Sequence, residues 1–219
     1  MIIAVDGPAG SGKSTVAKLL AKKLGFLYID TGAMYRALTL KALDNNIEIN
    51  DSKAIAALAS RTKIDLIPTS EGPVKVLLDN KDVSLAVREP RVTKFVSNVA
   101  KIAAVRKHMV VLQRKMGFSK DCVLDGRDIG TVVFPKAEKK FFVDADFEER
   151  VTRRYKDLIN LKIEGVSRAQ VAQDLKNRDT IDSTRKVAPL KKAQDAIYLD
   201  TTKLTIEQVL DLMLNYSIR

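Results

Sequence analysis

Apolar residues fall into short runs and helical stripes along this chain, with no single long hydrophobic block. Residues 1–5 form a compact apolar run, and a Gly/Ser-rich turn follows. Beyond it Val16, Leu19, Leu20 and Leu24 recur at helical spacing, and Gly25 stands where a C-capping glycine belongs. Residues 26–29 predict a second strand. Asp30-Thr31-Gly32 then opens a helix with Met34, Leu38 and Ala42 on one face. Strand and helix alternating at such short intervals imply a parallel sheet with crossover helices.

The period changes between residues 61 and 90. Ile64, Leu66, Val74, Val76 and Leu78 alternate with polar residues, and Asp79-Asn80-Lys81 reads as a hairpin turn, which predicts a small antiparallel insert. Helical periodicity returns over 93–116 through Val96, Val99, Ala103 and Met109 or Val110. Residues 122–124, 140–143 and 196–199 predict three further strands. The stretches 148–162 and 167–179 read as charge-laden helices with little apolar surface, the second opened by a Ser167/Gln170 capping box. A last helix starts at Thr205, with Gln208 at its third position and Leu204 placed against Val209. No repeat or linker divides the chain, so residues 1–219 read as a single domain.

Composition narrows the class. The chain has 219 residues, 46% hydrophobic and 30% charged, which fits a soluble globular protein and excludes a disordered tail or a collagen-like rod. No run of about 18 apolar residues is present to cross a membrane. The opening MIIAVDGPAG shows no basic leader, and the lone Cys122 cannot form an internal disulfide; both fit a reducing cytoplasm. With one histidine, His108, and one cysteine, a metal site of several His or Cys ligands is excluded. The net charge of +11 predicts attraction to polyanions without choosing among nucleic acids, anionic lipids and nucleotide phosphates. Aromatics at 5% and dispersed lysines argue against a nucleic-acid partner.

Chemistry enters at Gly7-Pro8-Ala9-Gly10-Ser11-Gly12-Lys13-Ser14, which matches G-x-x-x-x-G-K-[ST] and, with Thr15 following, lies between a predicted strand and a predicted helix. Glycines let backbone N–H groups approach a phosphate, and the helix N-terminus adds partial positive charge. Lys13 reaches the β- and γ-phosphates, and the Ser14 hydroxyl is a Mg²⁺ ligand. The segment therefore predicts a nucleoside triphosphate site in a three-layer α/β/α fold of the P-loop NTPase type, with a central five-stranded parallel sheet. A GTPase would carry N-K-x-D, which is absent. A motor would end a strand in Asp-Glu, whereas Val123-Leu124-Asp125 is followed by Gly126. Arg36 and Arg127 stand beside predicted strand ends, where open α/β sheets place their ligands.

GPAGSGKST, DTGAMYR (30–36), DGRDIGTVVFP (125–135) and NRD with R-x-x-x-P-L (177–190) occur in this order. The set resembles the bacterial cytidylate kinases, CMP/dCMP kinases of the nucleoside monophosphate kinase superfamily, over essentially the whole length. DGRDIGT is its most specific element. The resemblance implies ATP with Mg²⁺ as phosphoryl donor and CMP or dCMP as acceptor. Ser97, Arg106 and Asp128 would then read the cytosine, Thr31, Arg36 and Arg127 would hold the acceptor phosphate, and Asp182 would bind the sugar. Arg178 and Arg185 would close over the phosphate, and Arg153 and Arg154 would meet the ATP phosphates. Lys13, Arg127, Arg178 and Arg185 would carry catalysis. Residues 61–90 would be the monophosphate-binding insert and residues 148–185 a mobile helical lid. The resemblance implies neither nucleic acid nor membrane as partner, and the chain reads as a monomer. His108 and Cys122 are expected to be structural.

Overall fold

The computed structural model describes residues 1–67, 69, 74–160, 163 and 165–218, the last by its backbone. Its first strand, β1 (Ile2–Asp6), lies in the middle of a five-stranded sheet. In chain order the other elements are α1 (Lys13–Leu24), β2 (Leu27–Asp30), α2 (Thr31–Asp44), α3 (Ser52–Ser60), β3 (Ile64–Ile67), β4 (Lys75–Leu78), β5 (Lys81–Asp82), α4 (Pro90–Ala100) and α5 (Ala103–Gly117). β6 (Cys122–Gly126), β7 (Lys139–Asp144), α6 (Phe147–Asn160), α7 (Arg168–Thr184), β8 (Ile197–Asp200) and α8 (Ile206–Ile218) complete the chain. The large sheet runs β2-β6-β1-β7-β8 with every pair parallel, in the α/β/α arrangement the sequence predicts.

Both faces of this sheet are covered, which is why β1 and β6 read as continuous apolar runs. On one face Val16 and Leu20 of α1 and Val209 and Met213 of α8 pack on Ile3, Val5, Phe141 and Val143. On the other, Ala4, Ile29 and Leu124 meet Ile129, Val133 and Phe134 from the segment after β6. The separate antiparallel sheet β3-β4-β5 turns at Asp79 and Asn80, both in left-handed conformation, and buries Ile64, Val76 and Leu78 against α2 and its neighbours. Residues 68 and 70–73 of the expected insert lie outside the described residues.

Several expectations need correction. The stretch expected as helix over 93–116 is two helices, broken at Ile102, whose ψ of 117° is extended. Helix α3 was not expected; the Asp51 side chain caps it by accepting N–H groups from Lys53 and Ala54. Helix α7 runs to Thr184, five residues past the expected end, which puts Arg178 and Asp182 one turn apart. The expected end of α6 at 162 lies partly outside the described residues. Nor are α6 and α7 without apolar support: Val151, Val171 and Leu175 form a small buried cluster with Ala9 of the glycine-rich loop. Cys122 is fully buried, and burial pushes its thiol up to about 11.

Candidate active site

The site lies beyond the C-terminal ends of β1, β2 and β6. There the glycine-rich loop leaves β1 through Gly7, whose φ is 155°; a Cβ at that position would come 2.0 Å from the Val143 carbonyl oxygen, so only glycine fits. Gly12, in left-handed conformation at φ 83°, is the N-cap of α1, whose first N–H groups lack partners within the helix. Lys13 is buried, and its Nζ donates to Pro8 O at 3.1 Å. Burial and the nearby Arg127 charge hold its ammonium well below the usual lysine range. Ser11 Oγ is buried with no hydrogen-bond partner among the described residues. Thr15 is an exposed residue of α1.

Asp125, at the end of β6, organises the loop from below. It accepts from Ser14 Oγ at 2.5 Å and from Tyr28 OH at 2.8 Å, while its backbone carbonyl accepts from Thr31 Oγ1 at 2.7 Å. Burial first, and the Asp30 charge second, raise its carboxyl above the usual range. A hydroxyl and a buried carboxylate side by side suit a small hard cation, which binds through one or two carboxylates and the substrate's phosphates.

Arginines from three helices and one strand end converge beside the loop. Arg36 of α2 donates to Thr93 Oγ1 at 2.8 Å, and Arg127 donates through Nε to Asp182 Oδ2 at 3.0 Å. Arg178 Nε stands 4.0 Å from Asp182 and has no hydrogen-bond partner among the described residues. Burial and mutual repulsion push Arg178 down to about 9 and Arg36 to about 10. Such a cluster is short of negative charge, and its chemistry suits an anion. The structure separates the adjacent arginines of α6. Arg153 lies on the loop side, donating to Thr201 O at 2.7 Å and Thr201 Oγ1 at 2.9 Å. Arg154 joins the field of Arg36 and Arg178.

A pocket opens next to this cluster, lined by Thr31, Tyr35, Ser97, Arg106, Arg127, Asp128, Arg178, Asp182 and Arg185. Asp128 forms a buried ion pair with Arg106 and lies 3.5 Å from Arg185 Nη2. Arg185 Nη1 in turn stands 3.7 Å from Asp182. Arg106 also donates to Ala100 O at 3.1 Å and rests 5.4 Å from the Tyr35 ring centroid. One carboxylate flanked by two guanidinium groups is a polar floor for a flat ring with mixed donors and acceptors. His108, on α5, is not among the lining residues.

Two contributors escape a reading of motifs, while a third, Asp125, opens the DGRDIGT segment but is given no role by it. Tyr28 carries no signal. Arg150, one arginine among several on α6, donates to Ala9 O at 3.1 Å and to Asp179 Oδ2 at 2.5 Å, pinning the loop between α6 and α7.

A parallel sheet, a glycine-rich loop of the G-x-x-x-x-G-K-[ST] type after its central strand and a neighbouring pocket lined by arginines define a P-loop kinase. More narrowly, the chain belongs to the cytidylate kinase family, whose sequence model matches residues 3–219. It is 53% identical over 211 residues to the cytidylate kinase of Fusobacterium nucleatum, covering 96% of this chain and 94% of that one. To the cytidylate kinase of Carboxydothermus hydrogenoformans it is 50% identical over 209 residues, covering 95% and 93%. The crystal structure of an uncharacterized protein from Eubacterium ventriosum shares the fold at a TM-score of 0.54 and 15% identity, over 99% of this chain and 97% of the other. The family's activity is ATP-dependent phosphorylation of CMP or dCMP, and this chain is an enzyme of that kind.

Proposed function

We propose that the kinase reaction runs through the residues that line this cleft, with each substrate's phosphates held by its own set of cations. The loop 7–15 and Lys13 take the β- and γ-phosphates of ATP, and Arg153 and Arg154 add charge from α6. Thr31, Arg36, Arg127 and Arg178 hold the acceptor phosphate, and Asp182 binds the sugar. Ser97, Arg106 and Asp128 read the base. The single observation carrying this reading is one cleft that brings Arg178, whose Nε has no hydrogen-bond partner among the described residues, beside the buried Arg106–Asp128–Arg185 group.

Asp128 and its neighbours favour cytosine on chemical grounds. A carboxylate accepts from the exocyclic amine at C4, whereas uracil would direct a carbonyl at it and leave both groups unpaired. The nucleophile is an oxygen of the CMP phosphate, already largely dianionic because its second pKa is about 6, so no general base is required. The chain's work is to place that anion in line with the γ-phosphate and to offset the repulsion between the two. Arg36, Arg127 and Arg178 do so for the acceptor, Lys13 for the donor. Ser14 and Asp125 would hold Mg²⁺, which when bound neutralises phosphate charge.

Residues 148–185 act as a lid in this reading, excluding water from the γ-phosphate, with Arg178 and Arg185 brought over the acceptor on closure. The insert at 61–90 belongs to the acceptor side, and all of 1–219 works as one domain. The reading takes the enzyme as a monomer of the cytoplasm, acting on small nucleotide substrates. ADP production measured in parallel with CMP, dCMP, UMP and AMP tests the assignment. Turnover of CMP and dCMP well above the other two is expected, and equal use of all four would overturn the base-reading roles.

A further inference from the structure

Asp6 closes β1 and lies beneath the turn that follows β6. It is 4% exposed, and its two oxygens serve two backbone donors: Oδ1 accepts from Ile129 N and Oδ2 from Gly130 N, each at 2.8 Å. These N–H groups belong to the two residues directly after Asp128. The segment Ile129–Val133 is a wide helical turn, with Asp128 at φ −145° and ψ 25° ahead of it. The first N–H groups of such a turn have no partner within it, and the buried carboxylate supplies one for each.

The other side of the turn is also fixed. A Cβ built on Gly130 would come 3.1 Å from Lys140 Cδ and 3.5 Å from Asp6 Oδ2. Lys140 is itself anchored, its Nζ donating to Pro135 O at 2.6 Å and to the Asp195 carboxylate. The turn is therefore clamped between a carboxylate and a lysine stem. Asp6 forms no ion pair among the described residues, and burial pushes its carboxyl up to about 7. A buried acid with no cationic partner is costly unless hydrogen bonds compensate it. Neither the phosphate contacts nor the base contacts use it.

We propose that Asp6 is a positioning residue for recognition of the acceptor base: by holding the Ile129 and Gly130 backbone it sets the Asp128 carboxylate against Arg106. The inference rests on the reading of Asp128, Arg106 and Ser97 as the base-reading set. It gives the residue just before Gly7 a second task. The strand that launches the ATP loop also fixes the turn that discriminates the other substrate.

The test compares kcat/KM for CMP and UMP at pH 8, where the Asp6 carboxyl carries its charge. Wild type, Asp6→Asn, Gly130→Ala and Asp128→Asn are measured, each checked for folding by circular dichroism and thermal melting. Asn keeps the volume of Asp but presents an amide donor to one of the two N–H groups. Asp6→Asn is expected to lower the CMP-over-UMP ratio about tenfold, the scale of one misplaced buried polar contact, mainly through a higher KM for CMP. Gly130→Ala shifts the same turn from its other side and is expected to lower the ratio in the same direction. A purely structural role for Asp6 would slow both acceptors equally. A wild-type ratio in folded Asp6→Asn, alongside a reduced ratio in Asp128→Asn, overturns the proposal and leaves the base-reading set standing. An unchanged ratio in Asp128→Asn overturns the base-reading set and the proposal with it. If Asp6→Asn does not fold, Gly130→Ala decides alone by the same criterion.

Discussion

Ser14 Oγ donates a 2.5 Å hydrogen bond to Asp125 Oδ2 across 111 residues of sequence. The bond ties the first turn of α1 to the end of β6 and places a hydroxyl beside a buried carboxylate whose pKa is raised. A cation at this point relieves the cost of ionising Asp125. Asp125→Asn is therefore expected to raise the Mg²⁺ concentration for half-maximal rate at least about tenfold, the scale on which mutating a group that positions a metal acts. KM for CMP should be unchanged. Initial rates over a Mg²⁺ titration check this, and an unaltered Mg²⁺ requirement would contradict the assignment.

Lys13→Ala should leave the fold intact, because Lys13 makes a single hydrogen bond to Pro8 O and the loop around it is fixed by backbone geometry. The loss of transition-state stabilisation should be about 3–4 kcal/mol, or several hundredfold in kcat. Steady-state assays on a variant with a native melting profile decide the point. Near-normal turnover would remove Lys13 from the mechanism.

The arginine cluster predicts how ligands change stability. Arg178 and Arg36 have lowered pKa values because the folded protein holds them half-buried among like charges, so at neutral pH their charge works against folding. CMP at a hundred times its Kd should stabilise the enzyme by about 2.7 kcal/mol, a rise in Tm of roughly 5–10 °C. Arg178→Ala should leave the free enzyme at least as stable as wild type and shrink the CMP-induced shift. Differential scanning fluorimetry measures both, and a free variant that melts well below wild type would contradict the charge argument.

Asp6 predicts a pH effect of definite sign. Its folded pKa, about 7, lies above the usual carboxylate value. Below about pH 4 both states hold the proton and the group costs nothing. Between about 4 and 7 the unfolded chain releases the proton while the folded one keeps it, so this group's contribution declines as pH rises, and above 7 the loss is constant. The stability difference between wild type and Asp6→Asn should shift against wild type across that window, by a few kcal/mol at most. Urea denaturation at pH 4.5, 6 and 7.5 reads it, and a pH-independent difference would show that Asp6 keeps an ordinary pKa.

Helices α6 and α7 carry the lid reading. Their small apolar cluster reaches Ala9, so the segment has a hydrophobic foothold on the phosphate loop. Adding CMP with a non-hydrolysable ATP analogue should increase hydrogen-exchange protection across residues 150–185 as the arginines engage phosphates. Unchanged protection with both ligands would mean that no closure occurs there. Arg185→Ala should lower kcat more than it raises either KM.

Particular residues explain what the sequence revealed. The strands were legible as short apolar runs, unbroken in β1 and β6 because both of their faces are buried, and the loop because its glycines and lysine sit at the spacing phosphate binding requires. The break between α4 and α5 was hidden, since Val99 and Ala103 keep helical spacing across it while Ile102 turns extended. Helix α3 was missed because nine residues bury only Ile55, Leu58 and Ala59, too brief a stripe to stand out. Arg150 and Asp6 left no trace in the pattern: each bonds backbone atoms far along the chain, and such partners have no residue type to recognise.

The position of β1 also has a consequence for synthesis. Both of its neighbours, β6 and β7, come from residues 122–144, so this strand has no sheet partner until more than a hundred further residues have been made. Pairings this distant in sequence are slow, because the intervening loop must be closed before any contact rewards it. Through that interval Ile2, Ile3 and Val5 are an unpaired apolar edge in a nascent chain, the condition under which aggregation competes with folding. The glycine-rich loop gains its rigid base only when β6 docks, so nucleotide-binding competence arrives late in the assembly of the sheet.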